Sequence, residues 1–290
     1  MTNPSDTKIL LNTGPSERGW HRVQDIVHCP RKYAFRRKLG LGDDPASDPT
    51  GPLPRGSLVH VGLAHHYVQL RAVQRGEDPG RYWDPCDAID RAAAESFKAY
   101  EDVDLVKDIV RCYQAAYAGD RSRVLMVEEQ VAVTVKNKWL FTQRYDRVVE
   151  DSSGRVWVID AKTSSAVSAR TMLGYGMSGQ LLAAQVIGRL TWPDRFAGVR
   201  LDFIGVRPEE KLPFRYPFTR ETLPPAPYAE QTVVDTIEWA EQIVERLEAG
   251  NADPWKYPAA HHEHACMTRY GPCQFYDLCR WGPGGVGGEP

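Results

Sequence analysis

Two aspartates and a lysine stand at the ends of two predicted strands, where they could support phosphate chemistry. The predicted strand 155–162 is largely apolar until Asp160-Ala161-Lys162, and alternation places Asp160 and Lys162 on the same face. The strand before it ends near Asp146, so a short hairpin brings Asp146 close to Asp160. Converging carboxylates repel each other unless a divalent cation binds them, and such a cation is a Lewis acid. The alternative to a metal site is an ordinary surface Asp and Lys at a strand end, and spacing alone does not decide between the two.

Three cysteines near the end of the sequence form a second group that could carry chemistry. Cys266, Cys273 and Cys279 are separated by six and then five residues, and Cys29 is the candidate for a fourth ligand. The polar start of the sequence predicts a cytoplasmic protein, in which disulfides are rare and a metal or cluster site is favoured. Spacing does not separate an iron–sulfur cluster from a structural zinc. Three histidines could replace a sulfur ligand: His261, His262 and His264.

The elements that must position these groups follow from hydrophobic periodicity. Helical spacing predicts helices over these segments: 20–39, 56–75, 85–100, 103–118, 174–190 and 226–249. Alternation predicts strands over 125–135, 139–149, 155–162 and 200–207. In the first strand it puts five apolar residues on one face: Leu125, Val127, Val131, Val133 and Val135. The order of elements predicts a mixed α/β core wrapped by helices, with a loop over 41–55.

Composition limits the function classes. The 290 residues are 42% hydrophobic and 26% charged, which is typical of a globular domain with its own core. No apolar run approaches the ~18 residues of a membrane span, so no membrane role is expected. The net charge of −2 excludes nucleic-acid binding through bulk charge, and any contact must be local. The local candidate is a basic-aromatic run with rings that could stack on unpaired bases: Arg31, Lys32, Tyr33, Arg36 and Arg37.

The acidic strand ends resemble a known nuclease core. The segments 146–149 (DRVV) and 158–164 (VIDAKTS) are similar to the RecB-like branch of the PD-(D/E)XK nuclease superfamily. In that branch one Asp follows a strand and an Asp-x-Lys ends the next. The segment 56–60 (GSLVH) resembles the start of a helix that carries a His in the same branch.

The resemblance implies a role for each matched residue. His60, Asp146 and Asp160 would bind Mg²⁺ or Mn²⁺. Lys162 would orient or activate the attacking water and stabilise the charge that develops on the phosphate. These roles come from the resemblance and not from the spacing, which fits the surface alternative equally well.

Two further positions are matched less closely. In the first strand the family carries an acidic residue, for which the resemblance favours Glu128, whereas periodicity does not decide between Glu128 and Glu129. In the helix after the core the family carries a Gln followed four residues later by a Tyr. Gln180 fits the Gln, but Ala184 stands at the Tyr position. The resemblance therefore adds Glu128 and Gln180 to the catalytic set and leaves DNA contact by that helix open.

One early and three late cysteines resemble the iron–sulfur members of this superfamily, which include AddB-type recombination nucleases and CRISPR-associated exonucleases. The resemblance implies a 4Fe–4S cluster held by Cys29, Cys266, Cys273 and Cys279. Such a cluster would close a loop of more than 200 residues and act as a structural staple between the two ends of the sequence. The basic-aromatic run after Cys29 would lie beside it and form a local DNA-binding patch.

These features predict a restriction-endonuclease-like α/β fold, with a mixed central sheet flanked by helices, helical insertions and an iron–sulfur region from both ends of the sequence. The expected organisation is a flexible segment 1–19 and one nuclease domain over 20–290. Within that domain, 20–40 and 255–282 would bind the cluster and 120–207 would be the catalytic core.

The expected function is a Mg²⁺- or Mn²⁺-dependent DNA exonuclease that acts on single strands or free ends. DNA repair or recombination, phage DNA processing and CRISPR adaptation are the compatible settings. A helicase, recombination or CRISPR-adaptation partner and a homo-oligomer also fit. The alternatives are a non-catalytic iron–sulfur or zinc module for nucleic-acid binding or assembly, and a site-specific endonuclease on the same fold.

Overall fold

The computed structural model describes residues 8–41, 52–97, 100–210, 213–250, 253–260, 263–268 and 271–282. The first residues of the predicted flexible segment and most of the predicted loop 41–55 lie outside these ranges. The histidine alternatives for a zinc ligand also lie outside the described part: His261, His262 and the side chain of His264.

Helices precede the first strand of the sheet: α1 (Trp20–His28), α2 (Pro30–Tyr33, continued by a π-helical turn Ala34–Lys38), α3 (Pro52–Arg75), α4 (Pro85–Ser96) and α5 (Val103–Ala116). The sheet and its helices follow: β1 (Arg123–Val135), β2 (Trp139–Glu150), β3 (Val156–Ser164), α6 (Ala169–Tyr175), α7 (Gly179–Thr191), β4 (Phe196–Gly205), β5 (Phe218–Thr222) and α8 (Pro227–Ala249). Short elements come last: α9 (Glu263–Cys266), β6 (Met267–Thr268), β7 (Gly271–Pro272) and α10 (Tyr276–Trp281). Among the described residues, no helix combines the length and apolarity that crossing a membrane requires.

Strands β1 to β5 form one five-stranded sheet in sequence order. The pairs β1–β2, β2–β3 and β4–β5 are antiparallel, whereas β3 and β4 are parallel. A parallel pair needs a crossover, and α6 and α7 supply it. This mixed sheet flanked by helices confirms the predicted fold class.

Apolar side chains cover both faces of the sheet. Helices α3, α4 and α5 pack on one face, and α1, α7 and α8 pack on the other. Strand β3 is buried between them, and its alternate residues belong to different clusters: Val158 faces α7 and Ile159 faces α3. The alternation predicted for this strand is therefore confirmed.

Local sequence sets several helix ends. The Asp84 side chain accepts a hydrogen bond from the backbone N–H of Cys86 at 2.9 Å, and Pro85 occupies the first turn of α4. The predicted helix 20–39 is divided at Cys29, which is extended, because Pro30 cannot continue the hydrogen bonding of α1. Helix α8 ends at Gly250, as predicted.

The predicted single apolar face of β1 is wrong. Val127 packs on the α3 side of the sheet, whereas Val131 and Val133 pack on the α7 side. Between them, Glu128 has a φ of +51°, in the left-handed region. A left-handed residue interrupts the strict alternation of a strand. The register of β1 against β2 also shifts between Val124 and Met126, so Leu125 and Val127 lie on opposite sides of the sheet.

A buried polar network ties β2, β4 and β5 to α5. Asp202 on β4 is fully buried, and it accepts hydrogen bonds from Arg147 at 2.6 Å, from Arg220 at 2.6 Å and from the hydroxyl of Tyr113. Burial alone would raise the pKa of Asp202, but the two guanidinium groups hold it below its usual value. The network fixes Arg147, the residue next to Asp146, within the core.

Candidate active site

The pairing of β2 with β3 brings the two predicted aspartates together. Arg147 lies opposite Ile159 in the ladder, so Asp146 and Asp160 occupy neighbouring positions just beyond that pair. Oδ2 of Asp146 accepts a hydrogen bond from the backbone N–H of Ala161 at 2.8 Å. The carboxyl group of Asp146 is thus held directly against the strand that carries Asp160.

Lys162 forms an ion pair with Asp160. Its Nζ lies 2.7 Å from Oδ2 of Asp160, and the two side chains share a third partner, Gln180 at the start of α7. Gln180 donates to Oδ1 of Asp160 at 3.3 Å and accepts from Nζ of Lys162 at 3.5 Å. The sequence-predicted residues Asp160, Lys162 and Gln180 are therefore brought together.

One imidazole and two carboxyl groups form a candidate metal-binding group. His60 on α3, Glu128 on β1 and Asp146 on β2 each offer a ligand atom, and these atoms lie within 4.8 Å of one another. Nδ1 of His60 is 3.3 Å from Oδ2 of Asp146. Nitrogen and oxygen donors of this kind suit Mg²⁺ or Mn²⁺. Asp160, the third predicted ligand, lies next to this group and pairs instead with Lys162.

The left-handed conformation of Glu128 decides which of the two neighbouring glutamates joins the group. Glu128 is 9% exposed and contributes a ligand atom, whereas Glu129 points outward and pairs with Arg71 of α3. Strained backbone of this kind persists where the surrounding structure requires it and is often found at functional sites. Strict alternation could not have distinguished the two residues, because it fails at Glu128 itself.

The acidic groups of the site have shifted pKa values, in part because they lie close to one another. Burial and the nearby carboxylate of Asp146 raise the pKa of Glu128 to about 10. Burial would also raise the pKa of Asp146, but the neighbouring His60 imidazole outweighs it and lowers that pKa to about 2. Burial raises the pKa of Asp160 in spite of the Lys162 ammonium beside it. Closely spaced acidic groups whose pKa values are shifted in opposite directions are typical of a functional site, here one that could bind a cation.

The group lines a cavity of about 440 Å³. One wall is the segment 13–16, which is held against β2 because the Ser16 hydroxyl donates to the Thr142 carbonyl at 2.9 Å. Arg144 also lines the cavity and was missed by the sequence reasoning. Alternation along β2 puts Arg144 on the same face as Asp146, and that signal could have identified it.

One cavity of about 280 Å³ is lined by all four cysteines predicted to bind the cluster, although they come from opposite ends of the sequence: Cys29, Cys266, Cys273 and Cys279. None of the four forms a disulfide. The backbone N–H of Ala260 donates to Sγ of Cys29 at 3.5 Å, and Sγ of Cys266 donates to the carbonyl of Ala260 at 3.7 Å. Residue 260 thus links the early cysteine to the late ones.

The basic-aromatic run makes mostly internal contacts. Tyr33 is 6% exposed within the core, so its ring offers no open face for stacking on a base. Lys32 and Arg36 pair with the buried Asp25, at 3.6 and 3.1 Å. Arg31 donates to the carbonyl of residue 257 at 2.9 Å. Arg37 is exposed, and of this run it is the side chain best placed to meet a nucleic acid.

Comparison with known proteins gives a family. A family model described as the PD-(D/E)XK nuclease superfamily matches residues 21–280, a span that contains the metal-binding group and the four cysteines. Among solved structures, the one described as "Crystal structure of SSO0001" is similar at 16% sequence identity and a TM-score of 0.31, over 74% of this chain and 84% of that chain. No curated protein matches the chain.

Proposed function

The chain belongs to the PD-(D/E)XK nuclease superfamily, and we propose that it is a metal-dependent DNA exonuclease of the RecB-like, iron–sulfur type. The observation that carries the proposal is the cavity in which His60, Glu128 and Asp146 offer ligand atoms within 4.8 Å of one another, beside the paired Lys162. A cation there, with a cationic side chain at its edge, is suited to hydrolysis of a phosphodiester. The imidazole in the donor set favours Mn²⁺ somewhat over Mg²⁺.

The proposed mechanism assigns each side chain a separate task. His60, Glu128 and Asp146 would hold a divalent cation, which would supply a Lewis acid for the scissile phosphate. Asp160 and Gln180 hold the ammonium of Lys162, which orients the attacking water and stabilises charge on the phosphate oxygens. Because these partners fix the ammonium before substrate binds, little reorganisation is needed during the reaction.

The N-terminal segment favours the end of a DNA strand as the substrate. Residues 13–16 form one wall of the cavity, and their attachment to β2 through Thr142 includes the hydroxyl of Ser16 and the backbone of Arg18. A wall that closes one side of the catalytic cavity hinders a continuous duplex more than a free end. The proposed enzyme is therefore an exonuclease that acts on single strands or free ends. A helicase, recombination or CRISPR-adaptation protein that supplies such ends is the proposed partner.

The cysteine cavity supports an iron–sulfur cluster over a single zinc. A tetrahedral zinc with Zn–S bonds of ~2.3 Å would require sulfur atoms roughly 3.8 Å apart. Among the described residues, ligand atoms within 4.8 Å of one another occur in groups of three or more only at His60, Glu128 and Asp146. The four cysteines instead line one cavity of about 280 Å³, and this convergence, together with the resemblance, supports a four-thiolate cluster.

Substitution of the ion pair tests the nuclease function. Lys162→Ala and Asp160→Ala should each lower cleavage of end-labelled linear DNA, with Mg²⁺ or Mn²⁺, by at least about a hundredfold. The first removes the cation that stabilises the transition state, and the second removes the carboxylate that holds that cation in place. Matched controls are Lys138→Ala and Asp235→Ala, which remove charges from exposed ion pairs that do not line the cavity. Unchanged cleavage in both catalytic variants would contradict the assignment. Cleavage of circular DNA at the same rate as linear DNA would contradict the exonuclease and indicate an endonuclease instead.

A further inference from the structure

A second cavity adjoins the candidate active site. It has a volume of about 330 Å³, and it shares Trp20, His21 and Gln180 with the catalytic cavity. Gln180 donates to Asp160 and accepts from Lys162. The second cavity therefore begins one side chain away from the proposed catalytic pair.

The walls of the second cavity come from three elements. Helix α1 supplies Trp20, the turn before α7 supplies Met177, and α8 supplies Thr236. The indole of Trp20 lies so close to the backbone of Gly179 that any side chain there would overlap the ring. Trp20 packs closely against α7 and lines both cavities, while Met177, 71% exposed, forms part of the rim of the second one.

The chemistry of the two cavities differs. The catalytic cavity carries carboxyl, ammonium and guanidinium groups, whereas no Asp, Glu, Lys or Arg is found among the described residues that line the second one. Its polar groups are amides, imidazoles and hydroxyls: His21, Gln24, His28, Ser178, Gln180 and Thr236. Desolvation and the nearby Lys162 ammonium lower the pKa of His21, so this imidazole is neutral at neutral pH. No lysine or arginine lies among the described lining residues to bind a phosphate directly.

We propose that the second cavity receives the unpaired base of the nucleotide next to the scissile phosphate. An indole and a thioether suit the face of a base, and amides and imidazoles can bond to its polar edge. A volume of about 330 Å³ holds one nucleoside but not a base pair. The proposal rests on the proposed nuclease function and names its substrate class: nucleic acid that is single-stranded at the cleaved position.

Binding of oligonucleotides with one missing base tests the cavity directly. Fluorescence anisotropy would measure the affinity of the full-length protein, without divalent metal, for single-stranded oligonucleotides in which an abasic site is moved along position by position. We expect one position, or two adjacent ones, at which the missing base weakens binding on the order of tenfold, because base stacking and base-edge contacts are lost there. The same effect at every position would overturn the proposal.

Two variants locate the effect in the cavity. Gln24→Ala on α1 and Met177→Ala at the rim should weaken binding of the intact oligonucleotide and reduce the position dependence, since both line the cavity. The matched control is Gln231→Ala, an exposed helical glutamine that pairs with Asp235 on α8. Full position dependence retained in both cavity variants would contradict the placement of the base.

A separate cleavage assay distinguishes the two proposals. Cleavage of linear DNA by a protein without position-dependent binding would overturn the base cavity and leave the nuclease function intact. Position-dependent binding without cleavage, in protein loaded with Mg²⁺ or Mn²⁺, would support the base cavity and contradict the exonuclease. Equal affinity for blunt duplex and single strand would also count against a cavity for an unpaired base.

Discussion

At the scale of single residues, the candidate site depends on one unusual backbone conformation. Glu128 and Glu129 are neighbours in β1, and only the left-handed φ of Glu128 turns its side chain toward His60 and Asp146. Residue types and spacing indicated that Asp146 and Asp160 could converge, and the family resemblance assigned them to the site. Residue types and spacing could not assign Glu128, since a local departure from alternation is not written in the hydrophobic pattern.

Replacing each glutamate with glutamine tests this assignment. Glu128→Gln should lower the affinity for Mn²⁺ by at least about tenfold, because it removes a carboxyl group that would lose its proton and bind the cation as a carboxylate, while keeping the shape of the side chain. Glu129→Gln should leave the affinity within about twofold, since Glu129 pairs with Arg71 at the surface. Calorimetric titration of the metal-free protein with Mn²⁺ measures both. Equal losses in the two variants would remove Glu128 from the metal site.

At the scale of elements, close packing between α1 and α7 sets the geometry of the wall that the two cavities share. The sequence predicted α7 within a longer helix over 174–190, whereas the chain forms α6 and α7 with a turn between them. Ser178 is the N-terminal cap of α7, so Gln180 lies in the first turn of the helix and contacts Lys162. The strand β5 was not predicted either, because its short half-exposed pattern gives a weak periodic signal.

Adding one methyl group at Gly179 should disturb this packing. In Gly179→Ala the new Cβ would overlap the ring of Trp20, and relief of such overpacking costs about 1–3 kcal/mol. Gly174→Ala is the matched control in α6, since a Cβ there meets nothing within 4 Å and alanine favours a helix. We expect the free energy of unfolding, measured with denaturant, to fall in the first variant and to stay constant or rise by up to about 1 kcal/mol in the second. A stable Gly179→Ala protein would show that Trp20 is free to move aside.

At the scale of the whole molecule, the sequence predicted local features better than long-range contacts. Periodicity identified β1, β2 and β3 and hence the hairpin that joins the two aspartates. It could not foresee the network in which Asp202 meets Arg147 and Arg220, because those partners come from three strands that only the folded sheet brings together. The meeting of Cys29 with the late cysteines was inferred from a resemblance and not from any pattern in the intervening residues.

That meeting of the two ends predicts a measurable staple. Cys279→Ala should abolish the visible absorption and the iron and sulfide content of anaerobically purified protein, because the proposed cluster needs four thiolates. It should also lower the melting temperature by roughly 5–15 °C, since opening a loop of this length removes a few kcal/mol and each kcal/mol is worth about 2–4 °C in a chain of this size. Cys86→Ala is the control, because Cys86 does not line the cysteine cavity.

The iron and sulfide content tests which group the cysteines bind, and the melting temperature tests whether that group stabilises the fold. Zinc without iron in protected protein, together with a lower melting temperature for Cys279→Ala, would contradict the cluster and retain the staple. An unchanged melting temperature with loss of iron would retain the cluster and contradict the staple.

The staple also has a consequence for the candidate active site. Helix α1 follows the segment 13–16 and ends directly before Cys29, so it connects the cysteine cavity to both cavities at that site. Loss of the staple should therefore lower the affinity for single-stranded DNA more than the affinity for Mn²⁺, whose ligands lie on α3, β1 and β2.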